Sequence, residues 1–435
     1  MKTTSVPSIG VHWYNFSAVG KVLVPGEPRF AYLPEWLSAG FNLSPIQIPF
    51  TETFHRVREK EFDFLPGFLA DSIPDQWGQK IMAADLAKYG LKITPLNKLA
   101  WVGTRGIGAL KFLPPASEDR SSNWESVSPL YLAREAQEVF KKSPPEAFEH
   151  LLKAGTAGGA FPKANVALLP DRTLLCGGDV AKDLKAQHPG ARLGILKLDS
   201  EDTPGRPSTD GRLEYAYLAM ARAAGIRTTA AELLSDEEGE RVRNHLFVVR
   251  FDVSEAGDHR LHLVTLAGLL ERFTLTYSNL IDATRRLTND RREVAEAVRR
   301  MIFNARAGNS DDHGKNHSFA FDDRTGEWKL TPAYDLTLNY SEGRLYHGLL
   351  HQTFGGTPAL NQMRELAGDF LILGDEFDVI DAQVKAAIDR WPAFAADAFL
   401  TQAETDRVSE IHRGIAERLQ LQTPSRPLKT PRRFR

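Results

Sequence analysis

The sequence predicts an α+β fold in which a small β-rich N-terminal region precedes a mixed lobe and a mainly helical lobe. Three observations lead there. Short β-branched and aromatic runs between glycines fill the first 115 or so residues. From about Ala157 apolar strand-like runs flank one strong helix, and beyond Leu261 helical stripes dominate. A chain of 435 residues has room for a core in each region.

In the first region Phe16 to Val24 and Gly106 to Phe112 read as strands and turns, while Gln76 to Tyr89 carries apolar residues at helical intervals and ends on Gly90. Pro114 to Asn123 has no core-forming residues and marks the domain boundary. Asn165 to Leu169, Gly194 to Leu198 and Leu246 to Phe251 then read as strands. Between the last two, Leu213, Ala216, Tyr217, Met220, Ala221 and Ala224 form a helical stripe stopped by Gly225. Val294, Ala297, Val298, Met301, Ile302 and Ala305 form another, with Asp290 and Glu293 placed as cap and N3 partner. Further helices are expected through Met363–Leu373, Glu376–Ala396 and Ala403–Leu419. The end of the chain, with five basic and no acidic residues among TPSRPLKTPRRFR, reads as a disordered or loosely docked tail. The expected regions are 1–120, 121–255, 256–421 and 422–435.

A formal charge of -2 argues against a protein driven onto nucleic acid by its overall field. The single Cys176 makes no internal disulfide and suits a reducing compartment. Neither a signal peptide nor a run of 18 apolar residues is present, so a cytoplasmic protein without a membrane contact is expected.

Four features carry chemistry, and their order matters more than any one of them. Thr156 to Lys163 (TAGGAFPK) is a loop of small residues before a strand, able to bring backbone N–H groups close to an anion. Alone it reads as an ordinary Gly-rich loop, being neither a Walker A nor a GxGxxG. Lys197 lies inside a strand, as the phosphate-binding lysine of protein kinases does, with Glu214 on the next helix as a partner. A solvent-facing edge lysine is an equal alternative. Asp311 stands five positions before Asn316 in a polar loop after a long helix, the spacing of a kinase catalytic loop. There a carboxylate accepts the substrate hydroxyl proton and a neutral oxygen holds Mg²⁺. Tyr334-Asp335 supplies a second carboxylate of the hard-oxygen kind that Mg²⁺ takes. Together they describe phosphoryl transfer from a nucleotide.

At these residues the chain resembles the HipA family, serine/threonine-kinase toxins of bacterial type II toxin–antitoxin operons. The resemblance rests on TAGGAFPKANVAL (156–168), ILKLD (195–199), FVVRFD (247–252), AGNSDDHGKNHSFAF (307–321) and LTPAYDLTL (330–338). It implies a two-lobed protein-kinase-like fold, with ATP and Mg²⁺ as cofactors. By motif, Asp311 resembles the catalytic residue, Asn316 and Asp335 the metal ligands, and Lys197 the ATP lysine. Gly158, Gly159, Ala160, Phe161, Pro162 and Lys163 resemble the nucleotide loop. Val249, Arg250 and Phe251 resemble the hinge, with His313, Gly314, Lys315 and Tyr334 completing the ATP pocket. Thr156 stands where the family usually carries an autophosphorylated serine. The resemblance further implies a HipB-like helix-turn-helix antitoxin as partner, DNA contact mainly through it, and a protein substrate such as an aminoacyl-tRNA synthetase. Three alternatives stay open. They are a solitary HipA-like kinase with another substrate, a pseudokinase module, and a metal-dependent phosphohydrolase using Asp311, Asp312 and His313.

Overall fold

Four antiparallel strands open the N-terminal region: β1 (Ser8–Trp13), β2 (Ala18–Leu23), β3 (Arg29–Tyr32) and β4 (Leu110–Leu113), in the order β3-β2-β1-β4. The structure is a computed structural model describing residues 6–24, 27–116, 124–155, 159, 161–177, 181–199, 210–339, 348–350 and 358–421. Alternation in β1 turns Ile9, Val11 and Trp13 into the core. The strand expected from Phe16 begins only at Ala18, because Phe16 sits in a turn at φ +66°. The expected helix spans Gln76–Lys88.

The second region is a six-stranded antiparallel sheet of β5 (Glu125–Ser126), β6 (Lys163–Leu168), β7 (Leu174–Cys176), β8 (Arg192–Lys197), β9 (Ala231–Glu238) and β10 (Arg241–Val249). Its order is β5-β7-β6-β8-β10-β9. The helix Asp210–Ala223 packs on β9 and β10, burying Ala216, Tyr217, Met220 and Ala221.

The third region holds β11 (His262–Thr265), β12 (Leu275–Thr276), β13 (Ser318–Asp322), β14 (Glu327–Leu330) and β15 (Leu349–Leu350) among helices. Its centre is the helix Arg291–Ala307, buried on nearly every side and closed by Gly308 at φ +69°. Asp290 caps it by accepting from the Arg292 N–H at 2.8 Å. Glu293 does not complete a capping box: its carboxylate binds Arg227 at 2.6 and 2.7 Å and the Leu330 N–H at 3.0 Å, tying the helix to β14. The helix expected over Glu376–Ala396 is two, Gly374–Ile388 and Trp391–Asp397. Pro392 lacks the N–H that a continuous helix needs there, and its ring would meet the carbonyl one turn back. The other two span Leu360–Asp369 and Gln402–Leu421.

The N-terminal region is seated across both lobes. Gly108 N–H donates to Asp252 at 2.7 Å and Trp13 Nε1 to Asp323 at 2.9 Å. Asp71 accepts from the Thr265 N–H and hydroxyl at 2.8 and 2.9 Å. One apolar cluster runs through all three regions. No helix among the described residues is long and apolar enough to cross a membrane.

Candidate active site

Antiparallel pairing of β6 and β8 places Lys163 directly opposite Lys197. Two like charges in that register repel, so the pair needs opposite charges nearby. The fold provides them. Lys197 Nζ donates to both oxygens of Glu214 at 2.7 Å and to Asp335 Oδ1. Glu214 comes from the helix that packs on this sheet, and Asp335 from the loop after β14, where it takes a left-handed φ of +53°. Burial works against the charge of Lys197, but Asp335 and Glu214 outweigh it and raise its pKa above that of an ordinary lysine. Burial also works against the charge of Asp335, yet Lys197 and then Lys163 hold its carboxyl far below the usual range. The result is a neutral, mostly buried set of two ammonium and two carboxylate groups. Gly159, at φ +110°, roofs it: a Cβ there would lie 2.1 Å from Lys163 Nζ.

Beside this set, the loop after Gly308 carries Asp311 and Asn316. Asn316 Nδ2 donates to the Asp311 carbonyl at 2.6 Å, which leaves the amide oxygen for a cation. Asp335 keeps Oδ2 beside the Oδ1 that faces Lys197. An amide and a carboxylate oxygen are hard donors, and the residues present fit Mg²⁺. The Asp311 side chain is 48% exposed, with His313 Nε2 at 3.7 Å. Burial raises its pKa; His313 works against this, and Asp335 and Asp312 add to it. A carboxylate that is open to a substrate, with its pKa raised above the ordinary value, suits a proton acceptor.

Asp312 faces the other way. It is buried, bonded to the Tyr277 hydroxyl, and accepts from the Gly348 N–H at 2.6 Å. Asp311, Asp312 and His313 therefore do not converge on one ion, which removes the support for the phosphohydrolase reading. Among the described residues the one group spaced to hold a metal is His259, Asp322 and Asp323, and it lies at a seam with the N-terminal region.

Tyr334 donates to the Lys315 carbonyl at 2.9 Å, and its ring stacks on Phe251 with centroids 6.2 Å apart. Val249 N–H and C=O are engaged by Ala230 and the Thr229 hydroxyl at 2.8 and 2.6 Å. The Arg250 guanidinium is committed to a buried bidentate pair with Asp252 at 2.8 and 2.6 Å, so its side chain is withdrawn from a nucleotide. Phe161 is exposed, Pro162 and Lys163 are buried, and Gly314 packs against Leu275 and Ala267. Thr156, Gly158 and Ala160 lie outside the described residues.

Sequence reasoning missed the braces. Asn309 Nδ2 donates to Asn304 Oδ1 and Asn304 Nδ2 to the Tyr277 hydroxyl, both at 3.0 Å, and Tyr277 reaches Asp312. This buried chain sets the Asp311 loop on the central helix. It missed Asp75 and Trp77 as well. Trp77 Nε1 donates to the Lys163 carbonyl at 3.1 Å, while Asp75 binds Lys315 and the Gly159 N–H. The one available signal was the density of side-chain amides near residues 304–316; an aspartate before a helix reads only as a cap.

Residues 155–413 match the HipA-like C-terminal domain and residues 11–113 the HipA N-terminal domain. A 162-residue stretch is 30% identical to a protein of Sinorhizobium fredii with the provisional name kinase Y4dM, covering 34% of this chain and 38% of that protein. The chain thus matches well under half the length of that relative. HipA of Shewanella oneidensis MR-1, whose structure is a complex with HipB and operator DNA, shares the fold. Its TM-score is 0.65 over 95% of this chain and 96% of that one, at 16% identity.

Proposed function

The chain belongs to the HipA family, and from that premise we propose that it is a protein kinase transferring the γ-phosphoryl group of ATP to a serine or threonine hydroxyl. The observation that carries the reading is the single cluster in which Lys197 meets Glu214 and Asp335, facing the Asp311–Asn316 loop. Bound Mg²⁺ would neutralise phosphate charge, held by Asn316 and Asp335. Lys197, fixed by Glu214, orients the phosphates. Asp311 orients the incoming hydroxyl and accepts its proton as the oxygen attacks phosphorus, while the bond to the leaving nucleoside diphosphate breaks. Asn316 fixes that loop through the Asp311 carbonyl.

A toxin role, a helix-turn-helix antitoxin and a translation enzyme as substrate extend the proposal. The support is family membership and the fold shared with a HipA crystallised with HipB and operator DNA. The near-neutral charge suits a protein that meets DNA through a partner.

The test is γ-labelled ATP with Mg²⁺ and a cell lysate, comparing the parent with Asp311→Asn. Label on a protein serine or threonine, lost by roughly 10²–10⁴ in rate in the variant, is expected. No label with the parent, or equal rates, refutes the assignment. Growth arrest on expression, relieved by the Asp311→Asn change, tests the toxin role.

A further inference from the structure

The helix Gln76–Lys88 begins with Asp75 at its N-cap, yet the Asp75 carboxylate caps nothing of its own helix. An N-cap aspartate normally satisfies the first-turn N–H groups and gains from the helix dipole. Here both oxygens leave the N-terminal region. Oδ2 accepts from the Gly159 N–H at 3.0 Å, and Oδ1 forms an ion pair with Lys315 Nζ. Two residues on, Trp77 Nε1 donates to the Lys163 carbonyl at 3.1 Å. One helix start therefore holds Gly159, Lys163 and the loop that carries Lys315, with Gly159 84 and Lys315 240 residues away from Asp75.

 Lys315 immediately precedes the metal-binding candidate Asn316, its carbonyl accepts from Tyr334 at 2.9 Å, and its amine is held from the N-terminal region. A lysine has a long, rotatable stem, so an amine beside a phosphate site costs rotamer entropy to place. A carboxylate on a rigid helix start removes that cost in advance and leaves two ammonium N–H groups for a ligand.

We propose that Asp75 is a positioning residue of the active site, supplied by the N-terminal region, which sets Lys315 for the transferred phosphoryl group and holds Gly159 beside it. The inference rests on the kinase reading above. It makes the N-terminal region part of the catalytic apparatus.

The experiment is a double-mutant cycle in the full chain, with Mg²⁺-ATP and a protein substrate, measuring kcat and the KM for ATP. Asp75→Asn keeps an oxygen for the Gly159 N–H and a good N-cap residue, but removes the charge that holds Lys315. It is expected to lower kcat by up to about a hundredfold, the scale of a group misplaced by about 1 Å, with KM changed less and the thermal midpoint held. In a Lys315→Ala background the same change should lower kcat no further, because Asp75 acts through Lys315. Asp75→Asn at parental kcat, or equal losses with and without Lys315, overturns the inference while the kinase reading stands. A parent that transfers no phosphate, alone or with lysate, overturns the kinase reading and this inference with it.

Discussion

Lys197 shows how one side chain can serve both stability and chemistry. It neutralises Glu214 and Asp335, both of which would otherwise face each other in a mostly buried setting. Removing one partner of a buried pair leaves uncompensated charge, at a cost of about 3–5 kcal/mol. Lys163 offsets part of that, so Lys197→Met is expected to cost about 3 kcal/mol in urea unfolding, and adding Glu214→Gln should recover some of it. An unfolding midpoint equal to the parent's would sink this account. A second expectation at the same scale concerns the ion: Asn316→Ala and Asp335→Ala should each weaken Mg²⁺-ATP binding. Asp335→Ala should do the greater damage, because it removes formal charge. Calorimetry with and without Mg²⁺ decides it, and a parent whose ATP affinity ignores Mg²⁺ refutes the ligand pair. Lys197, Asp311, Asn316 and Asp335 were legible in the sequence because the spacing within each loop or strand is local. Asp75, Tyr277 and Asn304 were not, since their roles arise from contacts 35 to 240 residues apart or from a buried network that no local pattern encodes.

At the scale of elements, helices with a clean apolar stripe were readable and strands less so. Asp210–Ala223 and Arg291–Ala307 lie where their stripes predict. The polar edge strand β9 (AELLSDEE) has no unbroken alternation to reveal it, and the break before Trp391 needed the backbone chemistry of Pro392 to be read. One close approach between elements was hidden too. Gly67 and Gly268, in the short helices Gly67–Ala70 and Leu266–Leu270, approach so closely that a Cβ on Gly67 would lie 2.0 Å from the Gly268 carbonyl oxygen. A Cβ on Gly268 would lie 2.1 Å from Asp71 Oδ2. Alanine at either position must push the N-terminal region off the helical lobe. Overpacking of this kind costs about 1–3 kcal/mol. Gly67→Ala should therefore lower the thermal midpoint and speed proteolysis between the regions; a midpoint at or above the parent's would show that the contact is not tight.

For the whole molecule, the strongest charge signature is hidden inside rather than displayed. His245, His262, His317 and His412 are all buried, and burial lowers each from 6.5 to about 4. They are spread across the middle sheet, the seam with the N-terminal region, the Asp311 loop and the last helix. Below pH 6.5 the unfolded chain takes up protons at these positions while the native chain does not, until pH falls to about 4. Stability is therefore present above that window and lost on acidification through it, by up to about 1.4 kcal/mol per pH unit for each group. Asp71 works in the opposite sense. Burial raises it from 3.8 to about 6, so the native state binds its proton first and gains stability as pH falls through that range. Asp311 and Glu214 are raised as well and act in the sense of Asp71, so four histidines against three carboxyl groups leave a net loss of stability on acidification between pH 7 and 5. The unfolding midpoint in urea should fall steadily over that interval. His262→Gln, which removes one titrating ring at the seam, should flatten the slope even while lowering stability at pH 7. A midpoint that stays constant from pH 7 to 5 would mean that the buried histidines are not held neutral in the native protein.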